Sequence, residues 1–135
     1  ELDGRTIPYD ASLEGLVSKK KDFIGKRSLN RSAFTSTDRE KLVGVVPIDK
    51  TTSIPEGSYI VKDPKAKLPN PKLGHVSASC WSVEYDNPFS LAIIKDGKNM
   101  IGQKLFAMSP LKNKTIPVEI VSSHYVDPEG KRVRS

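Results

Sequence analysis

The sequence has 135 residues, with 22 Lys and Arg against 16 Asp and Glu for a net charge of +6, and 36% of its residues are hydrophobic. A chain of this size buries roughly two-thirds of its unfolded surface and can hold one core without staples, and the single cysteine, Cys80, excludes an internal disulfide framework or a Cys-rich zinc ribbon. Apolar runs such as Leu91-Ala92-Ile93-Ile94 fall far short of the roughly 18 residues a membrane-spanning helix needs.

The first residues, Glu-Leu-Asp-Gly-Arg, have neither the basic start nor the apolar stretch of a secretion signal. A lone thiol fits a reducing compartment, so the expectation is a cytoplasmic protein, and without an initiator Met the chain reads as part of a longer one.

Along the chain, 16–19 reads as a short strand. Asp22 has the chemistry of an N-cap, and 23–30 reads as two helical turns. Gly25 costs that helix about 1 kcal/mol relative to Ala, so packing of Phe23, Ile24 and Leu29 must hold it. Residues 31–38 form a connector. From Arg39 onward, short β-branched runs alternate with Pro, Gly and Asp turn signals, predicting strands at 41–47, 58–62, 73–79, 90–95, 103–109 and 116–122. Pro55-Glu56-Gly57 and Asn87-Pro88 read as turns, and Asp96-Gly97 as a tight hairpin. Ile116, Val118 and Ile120 share a core face, while Pro117 argues for an edge strand. The run 91–94, apolar on both faces, reads as a central strand covered on both sides. The fold class is mainly β, a six-stranded Greek-key barrel over 38–135 preceded by a short strand and helix over 1–37 that belong to a neighbouring α+β domain.

Basic residues cluster at Lys19-Lys20-Lys21 with Lys26, Arg27 and Arg31, at Lys62, Lys65, Lys67 and Lys72, and at Lys131, Arg132 and Arg134. Such clusters attract polyanions or simply solvate a surface. Binders of single-stranded nucleic acid add exposed stacking aromatics. The nine aromatics here lie mostly in apolar, strand-like contexts, which leaves a basic nucleic-acid-binding barrel as the alternative reading.

The stretch 74–82 is the most suggestive. Strand alternation puts Val76, Ala78 and Cys80 on an apolar face and His75, Ser77, Ser79 and Trp81 on a polar face suited to a ligand or a neighbouring domain. Cys80 then reads as a small buried hydrophobe, and His75 is on the wrong face to form a nucleophilic dyad with it. Two His and one Cys without ligand spacing make no metal site. The Asp and Glu residues sit beside Lys or in turns, and the glycines stand singly, so the residues themselves identify no active site.

Two segments carry a family resemblance. Lys19-Lys20-Lys21-Asp22-Phe23-Ile24-Gly25-Lys26-Arg27-Ser28-Leu29 and Gly74-His75-Val76-Ser77-Ala78-Ser79-Cys80-Trp81-Ser82 resemble segments of the glycine-cleavage T-protein, or aminomethyltransferase, superfamily. Within it, the segments 55–61, 92–97 and 125–132 are most similar to the C-terminal end of the sarcosine oxidase α-subunit family. The turn Val83-Glu84-Tyr85-Asp86 departs from the family's usual Pro-Thr-Leu-Gly-like turn, and Cys80 stands where an aromatic or small polar residue is usual.

The resemblance implies a folate-linked domain. In that family a flavin-containing part oxidises sarcosine to glycine, and the T-protein-like part passes the one-carbon unit to tetrahydrofolate. It also implies that 1–37 is the remnant of the folate-binding domain. The carboxylates that assist transfer, and the flavin and NAD sites, then lie outside these residues. The implied partners are the rest of the α subunit, its companion subunits and folate, with no membrane and no nucleic acid. The carry-over yields no catalytic residue. It leaves Ser77, Ser79, Trp81 and Tyr125 as folate-site candidates and predicts an inert isolated chain.

Overall fold

The computed structural model describes residues 4–66, 71–132 and 134. Six strands, β1 (Glu40–Pro47), β2 (Tyr59–Val61), β3 (Gly74–Ser82), β4 (Asn87–Lys95), β5 (Lys104–Ser109) and β6 (Lys114–Val121), close into a barrel in the order β1-β4-β3-β2-β5-β6. All pairings are antiparallel. The run β1-β4-β3-β2 is a Greek key, three successive strands with β1 returning beside the last, and closure removes sheet edges. The alternation that predicted these strands also fills the barrel: Val43, Val45, Ile60, Val76, Ala92, Ile94, Ala107, Val118 and Ile120 are buried together inside it.

Three turn expectations change. Asn87-Pro88 begins β4, and the β3–β4 turn lies at 83–86, where Asp86 takes a φ of +49°. Asp96 does take a positive φ, +51°, but Gly97 opens a 3-10 turn (Gly97–Met100) that carries the chain to β5, which is no neighbour of β4. Pro117 lies in a strand paired on both sides rather than at an edge. It is tolerated because its carbonyl accepts from Ile48 N at 3.0 Å, just beyond the end of β1. Its missing N–H therefore falls where the β1 ladder has stopped.

The N-terminal segment also differs from expectation. Residues 16–19 form no strand and 23–30 no α-helix. The segment instead contains 3-10 turns at Glu14–Leu16 and Ser28–Asn30 and one helical turn, α1 (Ser32–Thr35). Gly25 takes a φ of +92°, which breaks a right-handed helix. The packing that would have offset this is absent, since Ile24 is fully exposed and Phe23 is 38% exposed; so short a helix is not stable without such packing.

Residues 10–12 nevertheless dock firmly. Leu42 N donates to Asp10 O at 2.6 Å and Ser12 Oγ donates to Leu42 O at 2.8 Å. The segment thus fills the side of β1 that β6 leaves open, because the β1–β6 register starts only at Gly44 and Val121. The buried Asp10 carboxylate fixes this join. It accepts from Arg39 Nε at 3.0 and 3.1 Å, from Arg39 Nη2, from Lys41 Nζ at 2.9 Å and from Ile7 N at 3.2 Å. Burial pushes its pKa up, but the Arg39 and Lys41 cations and the amide outweigh that and hold it below the ordinary value.

Candidate functional site

The decisive local feature is a bulge in β3. Register shifts between Val76 and Ala78, so that Val76 faces Ala92 but Ala78 faces Leu91 and Ser79 faces Ser90. One extra residue reverses sidedness from Ser77 onward. Ala78 and Cys80 therefore leave the core face, and Cys80 is exposed rather than buried. Ser79 instead joins the buried Ser90, its Oγ 2.9 Å from Ser90 Oγ and donating to Ile54 O at 2.7 Å.

Two clefts flank β3. The larger, about 760 Å³, lies between the docked N-terminal segment and the β1–β4–β3 surface, with Asp10, Arg39, Leu42, His75, Ser77 and Ile93 among its walls. Its central charges already serve the join. Besides its bonds to Asp10, Arg39 donates from Nη2 to Arg5 O at 2.9 Å and from Nη1 to Ala33 O at 3.3 Å, and it lies over the Phe34 ring. This cleft also gives the half-buried Leu91–Ile94 outer face its partial cover, through Ile93.

The smaller cleft, about 470 Å³, lies between the β3–β4 hairpin and the segment after β6, with Cys80, Val83, Phe89, His124, Tyr125 and Val126 among its walls. Tyr125 is held on three sides. Phe89 stacks on it with ring centres 4.7 Å apart and planes at 13°, Tyr85 lies tilted at 56° with centres also 4.7 Å apart, and Asn87 Nδ2 donates to Tyr125 Oη at 3.0 Å. The hydroxyl proton is thereby left available to donate.

Of the four sequence candidates, Ser77 lines the larger cleft and Tyr125 the smaller, and no cleft unites them. Ser77 Oγ bonds Leu91 O at 3.3 Å, and the Ser79 hydroxyl is taken up by Ile54 and Ser90. Trp81, paired with Pro88, remains 52% exposed at the hairpin end. Sequence reasoning missed Tyr85, Asn87 and Phe89. Phe89 carried a signal, since it extends the outward Leu91 and Ile93 series by one step of two. Asn87 and Tyr85 carried none, because their partner lies 38 or 40 residues on.

Among the described residues no group of three or more His, Cys, Asp or Glu is placed to hold a metal ion, and no helix is long and apolar enough to cross a membrane. Lys19, Lys20 and Lys21 are exposed on the N-terminal turns, well outside any groove built of aromatics.

Residues 40–127, which span all six strands, match the Glycine cleavage T-protein C-terminal barrel domain family. The chain belongs to that family. Its similarity to curated proteins runs over 98% of its length: it is 34% identical to sarcosine oxidase subunit alpha of Rhizobium meliloti (strain 1021) and 37% identical to that of Corynebacterium sp. (strain P-1). It spans 14% of the length of each. The fold is also that of the glycine cleavage system aminomethyltransferase T from Bartonella henselae, with a TM-score of 0.64 over 90% of this chain and 32% of that one, at 22% identity.

Proposed function

We propose that this chain is the folate-side C-terminal part of a cytoplasmic sarcosine oxidase α subunit, within an enzyme that demethylates sarcosine to glycine and transfers the one-carbon unit to tetrahydrofolate. The observation that carries the reading is the similarity to sarcosine oxidase α subunits along nearly the whole chain. In this reading residues 1–37 are the end of the folate-binding domain and 38–135 the barrel that closes over it. Flavin, NAD and the carboxylates that manage protons at the folate amine belong to segments outside these residues, so the isolated chain is inert.

The smaller cleft fits a planar heteroaromatic ring. Phe89 and Tyr125 offer apolar aromatic surface, Val83 and Val126 add apolar walls, and Tyr125 Oη has a hydrogen to donate. Tyr125 is the residue of this chain that contacts folate, Trp81 extends the aromatic surface at the hairpin, and Ser77 and Ser79 act from behind by fixing the β3 bulge. Folate and the rest of the α subunit are its partners.

The test is steady-state kinetics of the full enzyme carrying Tyr125→Ala. The KM for tetrahydrofolate rises roughly 5- to 50-fold, as expected for losing one ring contact of about 1–2 kcal/mol. An unchanged KM contradicts the assignment of Tyr125.

A further inference from the structure

The segment after β6 reaches back to the β3–β4 hairpin through two contacts that lie side by side. The first is the packing of Tyr125 between Tyr85 and Phe89. The second is a two-pronged ion pair, with Arg132 Nη1 donating to Glu84 Oε2 at 3.2 Å and Arg132 Nη2 to Glu84 Oε1 at 2.5 Å. The two hairpin residues, Glu84 and Tyr85, are adjacent in sequence.

The chain between the contacts is itself shaped. Asp127 takes a φ of +47°, its backbone carbonyl accepts from Gly130 N at 2.9 Å, and its carboxylate accepts from Lys131 N at 2.9 Å and Arg132 N at 3.0 Å. This compact turn delivers the Arg132 guanidinium to Glu84. The hydrogen bond and charge of Arg132 hold the Glu84 carboxyl below its ordinary pKa, and the same bond raises that of Arg132.

We infer that Glu84 and Arg132 are positioning residues: their ion pair clamps the C-terminal strap onto the β3–β4 hairpin and so holds Tyr125 as a wall of the smaller cleft. Neither side chain need touch the ligand. The clamp restricts the rotations open to residues 122–132, so that Tyr125 meets an incoming ring already seated against Phe89. Glu84 belongs to the very turn in which this chain departs from its family's usual sequence, which makes the clamp a property of this branch. Both partners are substantially exposed, 41% for the Glu84 side chain and 64% for Arg132, so the effect is modest and salt-sensitive. Losing a two-pronged surface pair corresponds to about a 2- to 5-fold change in the closed population.

The inference rests on the folate reading for its functional half, so two measurements keep them apart. In the 135-residue chain, NMR of the Tyr125 ring protons reads seating directly. Stacking on Phe89 shifts them upfield, and Glu84→Gln, Arg132→Gln or about 1 M salt moves them toward random-coil values. The swapped pair Glu84→Arg with Arg132→Glu restores the upfield shift. In the full enzyme, Glu84→Gln raises the KM for tetrahydrofolate about 2- to 5-fold with kcat little changed, and the swap recovers it. Unmoved Tyr125 resonances in both single variants overturn the clamp, whatever the kinetics. If the resonances move and the swap restores them, but neither Glu84→Gln nor Tyr125→Ala changes the KM, the clamp stands and the folate reading of the cleft falls.

Discussion

Asp10 and Arg39, 29 residues apart in sequence, meet in an ion pair whose acid is buried, and Lys41 bonds the same carboxylate from the next outward position of β1. The barrel's first strand and the segment before it are thus joined through one charged atom group. Removing one partner of such a buried cluster leaves the others charged and unmatched. Asp10→Ala is expected to lower unfolding free energy by about 3 kcal/mol, measured by guanidinium denaturation at pH 7. A loss below about 0.5 kcal/mol would show that the join does not matter to the fold.

The same pair gives a pH dependence with a definite sign. The folded-state pKa of Asp10 is lowered, so the unfolded chain binds a proton first as pH falls. The contribution is fully present above the unfolded value of about 3.9 and is lost as pH drops through the folded value. Denaturation midpoints of the wild type should therefore fall between about pH 5 and pH 3 more steeply than those of Asp10→Asn. Parallel curves would remove Asp10 from the account.

Gly74 opens β3 against the backbone of β4. A Cβ built there would lie 1.9 Å from Ile93 O and 2.8 Å from Ile94 Cα. Backbone cannot yield as a side-chain tip can, so Gly74→Ala should cost about 3 kcal/mol or more. Ile24→Ser, at a fully exposed position, should stay within about 0.5 kcal/mol of wild type. Thermal melts of both variants, run side by side, check the contrast.

Cys80 should react with a thiol reagent such as Ellman's in the folded chain, at a rate comparable to that in denaturant. Protection by a factor of 100 or more would restore the buried position that simple strand alternation assigned to it. The bulge at Ser77 is what separates the two outcomes.

That bulge also marks the limit of what the sequence discloses. All six strands were legible, because β-branched residues alternate inside them and Pro, Gly and Asp separate them. The core of β6 followed from Ile116, Val118 and Ile120, which are buried as expected. Sidedness in β3 was not legible past Val76, since a bulge is set by pairing with β4 and leaves no residue-level signature in 74–82. The helix expected at 23–30 rested on packing by Phe23 and Ile24 that nothing in this chain supplies.

The candidate site fared similarly. Tyr125 was visible through resemblance alone, and its walls were not visible at all. Tyr85, Asn87 and Phe89 reach it across 36 to 40 residues, and only barrel closure puts the β3–β4 hairpin beside the end of β6. Aromatic and amide side chains near a turn have many local explanations, so their convergence has to be read from the fold.

The central claim is that this chain supplies a wall of a folate site whose chemistry resides elsewhere in the parent enzyme. The most direct test compares one-carbon transfer by the 135-residue chain and by the full enzyme, each given sarcosine and tetrahydrofolate, with methylene-tetrahydrofolate measured as product. The account predicts product from the full enzyme and none from the chain. Product from the isolated chain, or none from the full enzyme with tetrahydrofolate in excess, would contradict it.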